Sequence, residues 1–363
     1  MLAAANLFLW ARRMVTTGIH TDFPSYLTFA YLGMHSGWSH LYDWELTRTI
    51  APLFGAAYWP NQYPPFTFLL FVPFLYLPYP IAYFLFLALM VTALGATWWM
   101  LAPPADRRLH LLVLAAFLPV GFCLWLGQII PLVALCVALA YRLLELRRPR
   151  EDLLAGIVLA GLVLKPNLAL LVPVALLAAG RWRALTGLAV AGVVLAVTAY
   201  FLLTPYGITQ YYLHLRSVTA DQPRVLIDSG LTMVGLFGLG PLLLVADAAV
   251  VAAVALVAVR TRANGAAAGL AAALAGSLLV TTYLHWQDLV MVLPATWLWL
   301  RAAPARRHTV PFLVAVWAVA NFTLAVPVVL LAWLAVMTAE TVLAPRSEPA
   351  PAKLDVSAGN AGV

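Results

Sequence analysis

The sequence predicts an all-α fold, a polytopic transmembrane helical bundle, on three observations. Of its 363 residues, 64% are hydrophobic and only 10% charged, where soluble domains carry about a quarter charged. Mean hydropathy is +0.93. Apolar windows of about 20 residues, enough helix to cross about 30 Å of hydrocarbon, recur through the chain. They show no strand-like alternation and are too long for barrel strands, so backbone polar groups must be satisfied within helices.

The start, Met1 to Ile19, is apolar but short and carries Arg12-Arg13 in its middle. It makes a poor spanning helix and a poor signal peptide, whose charges precede the apolar core, and fits a start lacking most of a first helix. Residues 20–65 then form the longest run without a spanning pattern, from His20 through Asp22, Asp43 and Glu45 to Trp59-Pro60-Asn61-Gln62-Tyr63-Pro64-Pro65. They are expected to form a catalytic loop on the outer membrane surface. Phe66 to Leu77 is too short to cross and reads as interfacial, set off by Pro78 and Pro80.

Spans are expected at 81–101, 109–126, 129–146, a short pair at 153–164 and 167–178, then 184–203, 231–259, 266–283, 286–300, 310–325 and 326–343. That is roughly eleven crossings. Arg107-Arg108, Arg147-Arg148-Pro149-Arg150, Arg181 and Arg183, Arg260 and Arg262, and Arg301 with Arg306 and Arg307 fall in every second connection. Those connections are expected to be cytoplasmic, because short cytoplasmic loops hold the excess of arginine and lysine. The alternate connections then face outwards: 20–65, Gly127-Gln128, Lys165-Pro166, a second outer loop at 204–230, and His285 to Asp288. One membrane domain thus runs over 1–343, and 344–363, rich in Ser, Pro, Ala and Gly, reads as a disordered cytoplasmic tail.

The formal charge of +7 does not point to nucleic acid, since the basic residues are dispersed between apolar windows and line no soluble face. Cys123 and Cys136 both fall in apolar helices, so neither disulfide nor metal site is inferred. No grouping forms a divalent-cation cage, and no cofactor is expected.

The candidate chemistry lies on the outward side. Only two of the 21 basic residues are lysines, and Lys165 is the one in the membrane body. It sits between two short segments, where Pro166 would open a half-helix whose dipole and amides join the ammonium to form an anion site, suited to phosphate. The alternative is a lysine snorkelling to the interface. His285 and Asp288, three apart, would share a face if their turn is helical, with the carboxylate orienting the imidazole; otherwise they are interfacial polar residues. Asp22, first acid of the chain, could act as general base near the surface, though pattern alone does not prefer it to Asp43 or Glu45. Gln128 is either an interhelical hydrogen bonder or a sugar contact. Tyr63 belongs to a rigid aromatic entry, and Arg216 and Arg224 could meet a headgroup or remain solvated. Asp247 has no functional account.

Together the Asp22 segment, Tyr63-Pro64-Pro65, Gly127-Gln128, Leu164-Lys165-Pro166-Asn167 and His285-Trp286-Gln287-Asp288 resemble glycosyltransferase family 87, over nearly all of residues 20–340. This family, in the C-type membrane superfamily, includes actinobacterial polyprenol-phosphate-mannose-dependent alpha-mannosyltransferases. The resemblance implies a polyprenyl-phosphate-sugar donor, most simply of mannose, and inverting transfer to a lipid-linked or cell-envelope glycan acceptor outside a bacterial cytoplasmic membrane. It makes Asp22 the expected base and places Lys165 and His285 near the donor phosphate. The family has a full first helix, which here is stunted, and many members carry a more histidine-rich late motif. A transporter or flippase of a lipid-linked glycan, or a non-catalytic subunit binding polyprenyl lipids, are the rival classes; a broken helix lining a polar cavity suits a transporter too.

Overall fold

The computed structural model describes residues 22–56, 62–221, 231–302 and 325–343, with Phe8 and Arg12 ahead of them. The rest of Met1 to Ile19, Trp59, Arg224, the expected span at 310–325 and the tail at 344–363 lie outside the described residues. Among those described, the fold is helical throughout and no strand occurs.

The outer segment expected as a loop is built of helices. It opens with α1 (Asp22–His35) and α2 (Trp44–Ile50), joined through a 3₁₀ turn at Trp38–His40. Asp43 is the N-cap of α2, its Oδ1 accepting from the amides of Glu45 at 3.1 Å and Leu46 at 3.2 Å, the usual task of an acid before a helix. After α3 (Pro65–Leu69) and a 3₁₀ turn at Val72–Tyr76, the first long span, α4 (Tyr79–Leu101), begins. The segment from α1 to the 3₁₀ turn before α4 forms a jaw with its own aromatic core, in which Tyr26 stacks on Phe71 and Phe29 on Phe68, centroids 4.5 and 4.8 Å apart.

The bundle continues through α5 (Arg107–Ala116), α6 (Leu118–Leu126), α7 (Ile130–Glu145), α8 (Pro149–Leu159), α9 (Val172–Ala178) and α10 (Trp182–Asp221). It closes with α11 (Met233–Phe237), α12 (Pro241–Thr261), α13 (Ala267–Val280), α14 (Val292–Ala302) and α15 (Ala325–Leu343). Among the described residues, four stretches are long and apolar enough to cross a membrane: Tyr79–Leu101, Trp182–Arg216, Pro241–Asn264 and Ala325–Leu343. Helices α5 and α6 make a fifth if counted together, bent by 60°. Several of the other expected windows are broken. Pro119 ends α5 and starts α6, the 153–164 window finishes as a 3₁₀ turn at Ala160–Leu164, and the 167–178 window leaves only α9.

In the second outer loop the structure differs again, since α10 runs on to Asp221 after a break at Thr204 (φ 58°, ψ 172°), just before Pro205. Such a conformation is costly for a β-branched residue and persists only where the surroundings enforce it. Here they do: beyond the break Tyr211 stacks on Tyr42 at 4.3 Å and donates to the Gln62 carbonyl at 3.0 Å. The outer half of α10 thus belongs to the jaw.

The arginine-rich connections gather at the opposite end from the jaw. Arg301 donates to the carbonyls of Leu101 at 2.6 Å and Met100 at 2.8 Å, capping α4. Arg181 pairs with Asp152 at 3.2 Å, and Arg147 reaches the Ala263 carbonyl at 3.1 Å. Between the two ends α8 and α10 approach closely on small residues: a Cβ on Gly187 would stand 2.1 Å from the Leu153 carbonyl oxygen, and one on Gly156 1.9 Å from that of Ala184. Small residues allow such backbone contact in membranes, where dispersion rather than water exclusion holds helices together. Gly187→Leu is therefore expected to lower stability by about 1–3 kcal/mol, measured by thermal unfolding in detergent, with Gly192→Leu, which meets open space, as the neutral control.

Candidate functional site

The site forms where the jaw core meets the bundle core, and Asp22 is fixed there by its neighbour. Phe23 is fully buried, its ring 5.0 Å from Phe86, 5.6 Å from Tyr83 and 6.0 Å from Phe74. Asp22 occupies the first turn of α1, where a carboxylate complements the helix dipole. Pro24 fits the same turn because its missing N–H would have no partner there. Opposite this helix head α6 ends at Gly127, in the left-handed region at φ +71°, and a Cβ there would lie 2.9 Å from Phe23 Cβ. Only glycine lets the Gly127-Gln128 turn lie flat against α1.

That approach makes a network of five residues. Gln128 Nε2 donates to Asp22 Oδ2. Gln128 Oε1 accepts from Lys165 Nζ at 3.0 Å and from the Tyr63 hydroxyl at 3.2 Å. Lys165 Nζ is 2.5 Å from Asp288 Oδ1, and the other Asp288 oxygen accepts the His285 backbone N–H at 2.9 Å. Lys165, Gln128 and Asp288 are 2%, 3% and 0% exposed, so each must find its partners among the others. Asp22, at the head of the jaw and outside every spanning segment, is half-buried. Burial pushes its carboxyl up to about 6, against the pull of the Gln128 hydrogen bond and the Lys165 charge.

Lys165 stands at the expected break, between 3₁₀ turns at Ala160–Leu164 and Pro166–Leu168, with extended backbone (φ −146°, ψ 78°). Two parts of the expectation change. No half-helix begins at Pro166: the turn there is three residues long and α9 starts only at Val172, because the Leu168 and Ala169 amides close tight turns onto Lys165 and Pro166 and the Leu171 amide is taken by Ser277 Oγ at 3.0 Å. The ammonium also does not stand alone, since Asp288 neutralises it. The Asp288 carboxylate does not orient the imidazole either; it caps its own turn and pairs with Lys165, while His285 remains exposed with its ring 5.6 Å from Tyr283.

Of the predicted residues, Asp22, Gln128, Lys165, Asp288 and Tyr63 come together. Arg216 is exposed on the outer half of α10, outside the network. Asp247 lies on α12 with Oδ1 buried and unpaired, and nothing in the structure explains it. Sequence reasoning passed over Tyr42, whose hydroxyl donates to the Tyr63 carbonyl at 2.6 Å and so sets where the Tyr63 side chain starts. It also gave no role to Asn167, 8% exposed with both amide atoms buried and unpaired beside the Lys165 break. A buried, unsatisfied amide costs free energy, and the available signal was an asparagine next to the only intramembrane lysine.

A cavity of about 410 Å³ lies between the jaw, the break before Lys165 and α10. Pro64, Pro65 and Phe66 of the jaw, Val163 of the break, and Leu195, Ala199, Leu203 and Tyr211 of α10 contribute to its walls. Almost all of these are apolar; Pro64 follows Tyr63 in the chain, and Val163 stands two residues before Lys165.

Membrane-spanning helices, with a carboxylate joined through Gln128 to a buried lysine–aspartate pair, define a helical integral membrane protein with a buried polar centre. The family model described as Glycosyltransferase family 87 matches residues 61–284, more than half of the chain, and the chain belongs to that family. It is accordingly a membrane glycosyltransferase, with a sugar donor and an acceptor. The match takes in Tyr63, Gln128, Lys165 and Arg216 and stops short of Asp22, His285 and Asp288. No curated protein and no solved structure matches the chain.

The buried pair makes a direct prediction. Asp288→Asn leaves Lys165 without its counter-ion and is expected to cost about 3–5 kcal/mol, whereas Lys165→Met combined with Asp288→Leu recovers most of that stability. Thermal unfolding of the two variants in detergent checks both statements.

Proposed function

We propose that the chain transfers a sugar, mannose in the first instance, from a polyprenyl-phosphate donor to a hydroxyl of a lipid-linked or cell-envelope glycan. The transfer takes place on the outer face of a bacterial cytoplasmic membrane. The observation that carries this proposal is the Asp22 carboxylate, held in one polar network with buried Lys165; an apolar cavity walled by Pro64, Val163 and α10 offers room for a lipid tail. A base, a cation and an apolar channel are what a phosphate leaving group on an isoprenoid tail requires.

The step is a single displacement. Asp22 takes the proton of the acceptor hydroxyl, the oxygen bonds to the anomeric carbon, and the bond from that carbon to the phosphate oxygen breaks with inversion, releasing polyprenyl phosphate. An oxocarbenium-like transition state makes stabilisation of the leaving phosphate as important as the base. Two of the three N–H groups of Lys165 are engaged by Asp288 and Gln128, and the third is assigned to a phosphate oxygen. Since Asp288 already offsets that ammonium, His285, exposed at the next turn, supplies a further hydrogen bond. The tail lies along Leu195, Ala199 and Leu203 of α10.

Membranes given polyprenyl-phosphate-[¹⁴C]mannose are expected to label endogenous acceptor lipids with the wild-type chain and not with Asp22→Ala, at equal expression. Equal labelling by both would remove Asp22 as the base. Movement of donor across the bilayer without transfer would identify a transporter. An Asp22 carboxyl at about 6 is ionised above that pH and protonated below it. The transfer rate is therefore expected to fall as pH drops through about 6, a limb that a pH–rate profile between 4.5 and 8 would reveal, on the order of tenfold per unit on its acid side.

A further inference from the structure

We infer that Gln128 is a positioning residue that divides the two oxygens of Asp22 between separate tasks, holding Oδ2 and leaving Oδ1 to take the acceptor's proton. This rests on Asp22 as the base and goes beyond it by naming the oxygen and the group that selects it.

The orientation of the Gln128 amide is not a free choice. Its Oε1 accepts from Lys165 Nζ at 3.0 Å and from the Tyr63 hydroxyl at 3.2 Å. An ammonium carries donors and no acceptor, so a reversed amide would set N–H against N–H. The NH₂ group must therefore face Asp22, where it donates to Oδ2. At 3% exposure Gln128 has little water to compensate a lost partner. The backbone adds a second lock: the Gln128 amide donates to the Cys123 carbonyl at 3.0 Å, and Gly127 rests on Phe23.

A proton arriving at Asp22 then lands on Oδ1, and Oδ2 stays an acceptor throughout the cycle. The same amide ties the carboxylate to Lys165, so the basicity of Asp22 depends on the cation that the proposed function assigns to the phosphate. The titratable groups around Asp22 are Lys165 and Asp288 across the network, Tyr26 of its own helix, Tyr63 of the jaw and Cys123 of α6. Tyr26, Tyr63 and Cys123 enter as neutral hydroxyls and a neutral thiol, and the Lys165–Asp288 pair is common to every variant below. A shift between wild type and Gln128→Leu therefore reports the Gln128 bond, whereas Gln128→Glu adds a carboxyl of its own beside Asp22.

Gln128→Glu is the decisive variant. It keeps an oxygen for Lys165 and Tyr63, so the bundle contacts survive, but it replaces the donor facing Asp22 by an acceptor. Gln128→Leu removes both. With polyprenyl-phosphate-[¹⁴C]mannose and endogenous acceptor lipids in membranes, Gln128→Glu is expected to lose about tenfold or more in kcat while the donor KM changes less than about threefold. In both variants the acid limb of the pH–rate profile moves to higher pH: in Gln128→Leu because a hydrogen bond that favoured the charged carboxylate is gone, and in Gln128→Glu with the repulsion of a second carboxyl added. Infrared titration of the purified chain gives a readout independent of turnover. The carbonyl band of protonated Asp22, identified by its loss in Asp22→Ala, should persist to higher pH in Gln128→Leu than in wild type.

Unchanged kcat, unchanged limb and unchanged titration in both Gln128 variants, with Asp22→Ala inactive, would overturn this inference and leave the base assignment standing. An active Asp22→Ala would instead overturn the base assignment on which it rests. A purely structural role for Gln128 predicts lower thermal stability with an unmoved titration, and that result also counts against the inference.

Discussion

A single buried ammonium sets the terms for the rest of this structure. Lys165 stands in the membrane body almost without exposure, and a cation there is tolerated only when it is paired and hydrogen-bonded. Asp288 from the turn before α14 and Gln128 from the turn between α6 and α7 answer it directly, and Tyr63 from the jaw donates to the same Gln128 oxygen. The jaw therefore does more than rest on the bundle. Its hydroxyl helps to fix the amide that solvates a charge belonging to the bundle.

The irregular backbone near that charge follows from the same constraint. Lys165 lies in extended backbone between two 3₁₀ turns, with its side chain buried. Non-helical backbone at membrane depth is allowed only where protein satisfies the freed amides. The Ser277 hydroxyl does this for Leu171, and it in turn donates to the Ala273 carbonyl of its own helix at 2.6 Å. Polar groups that look incidental in α13 are thus part of what keeps the break open.

Much of the site was legible because it runs against composition. In a chain with 10% charged residues, a lone lysine, a glutamine in an apolar run and an acid–histidine turn announce themselves, and five of the seven candidates do meet. Their pairing was not legible, since nothing in local spacing links Lys165 to Asp288; the role of counter-ion had been given to a phosphate alone. The helix at Asp22–His35 was missed for a different reason. Ten of its 14 residues are buried, so it has no polar face to generate a helical pattern, and it is too short to read as a span. The number of crossings is hard to read from composition, because apolar residues signal burial in lipid or protein alike, while prolines at 119 and 166 decide whether a window runs unbroken.

The positive-φ residue at Thr204 also has a bearing on how such a chain can diverge. In an unbroken helix each inserted or deleted residue rotates everything after it by about 100°, so the face turned to lipid and the face turned to the jaw would have to change together. Here both faces are pinned: the part of α10 before Thr204 rests on α8 through Gly187, and the part beyond Pro205 keeps Tyr206 against His40 and Tyr211 against Tyr42. An insertion in either half would turn one of those faces from its partner, so α10 is held to one length on both sides of the break.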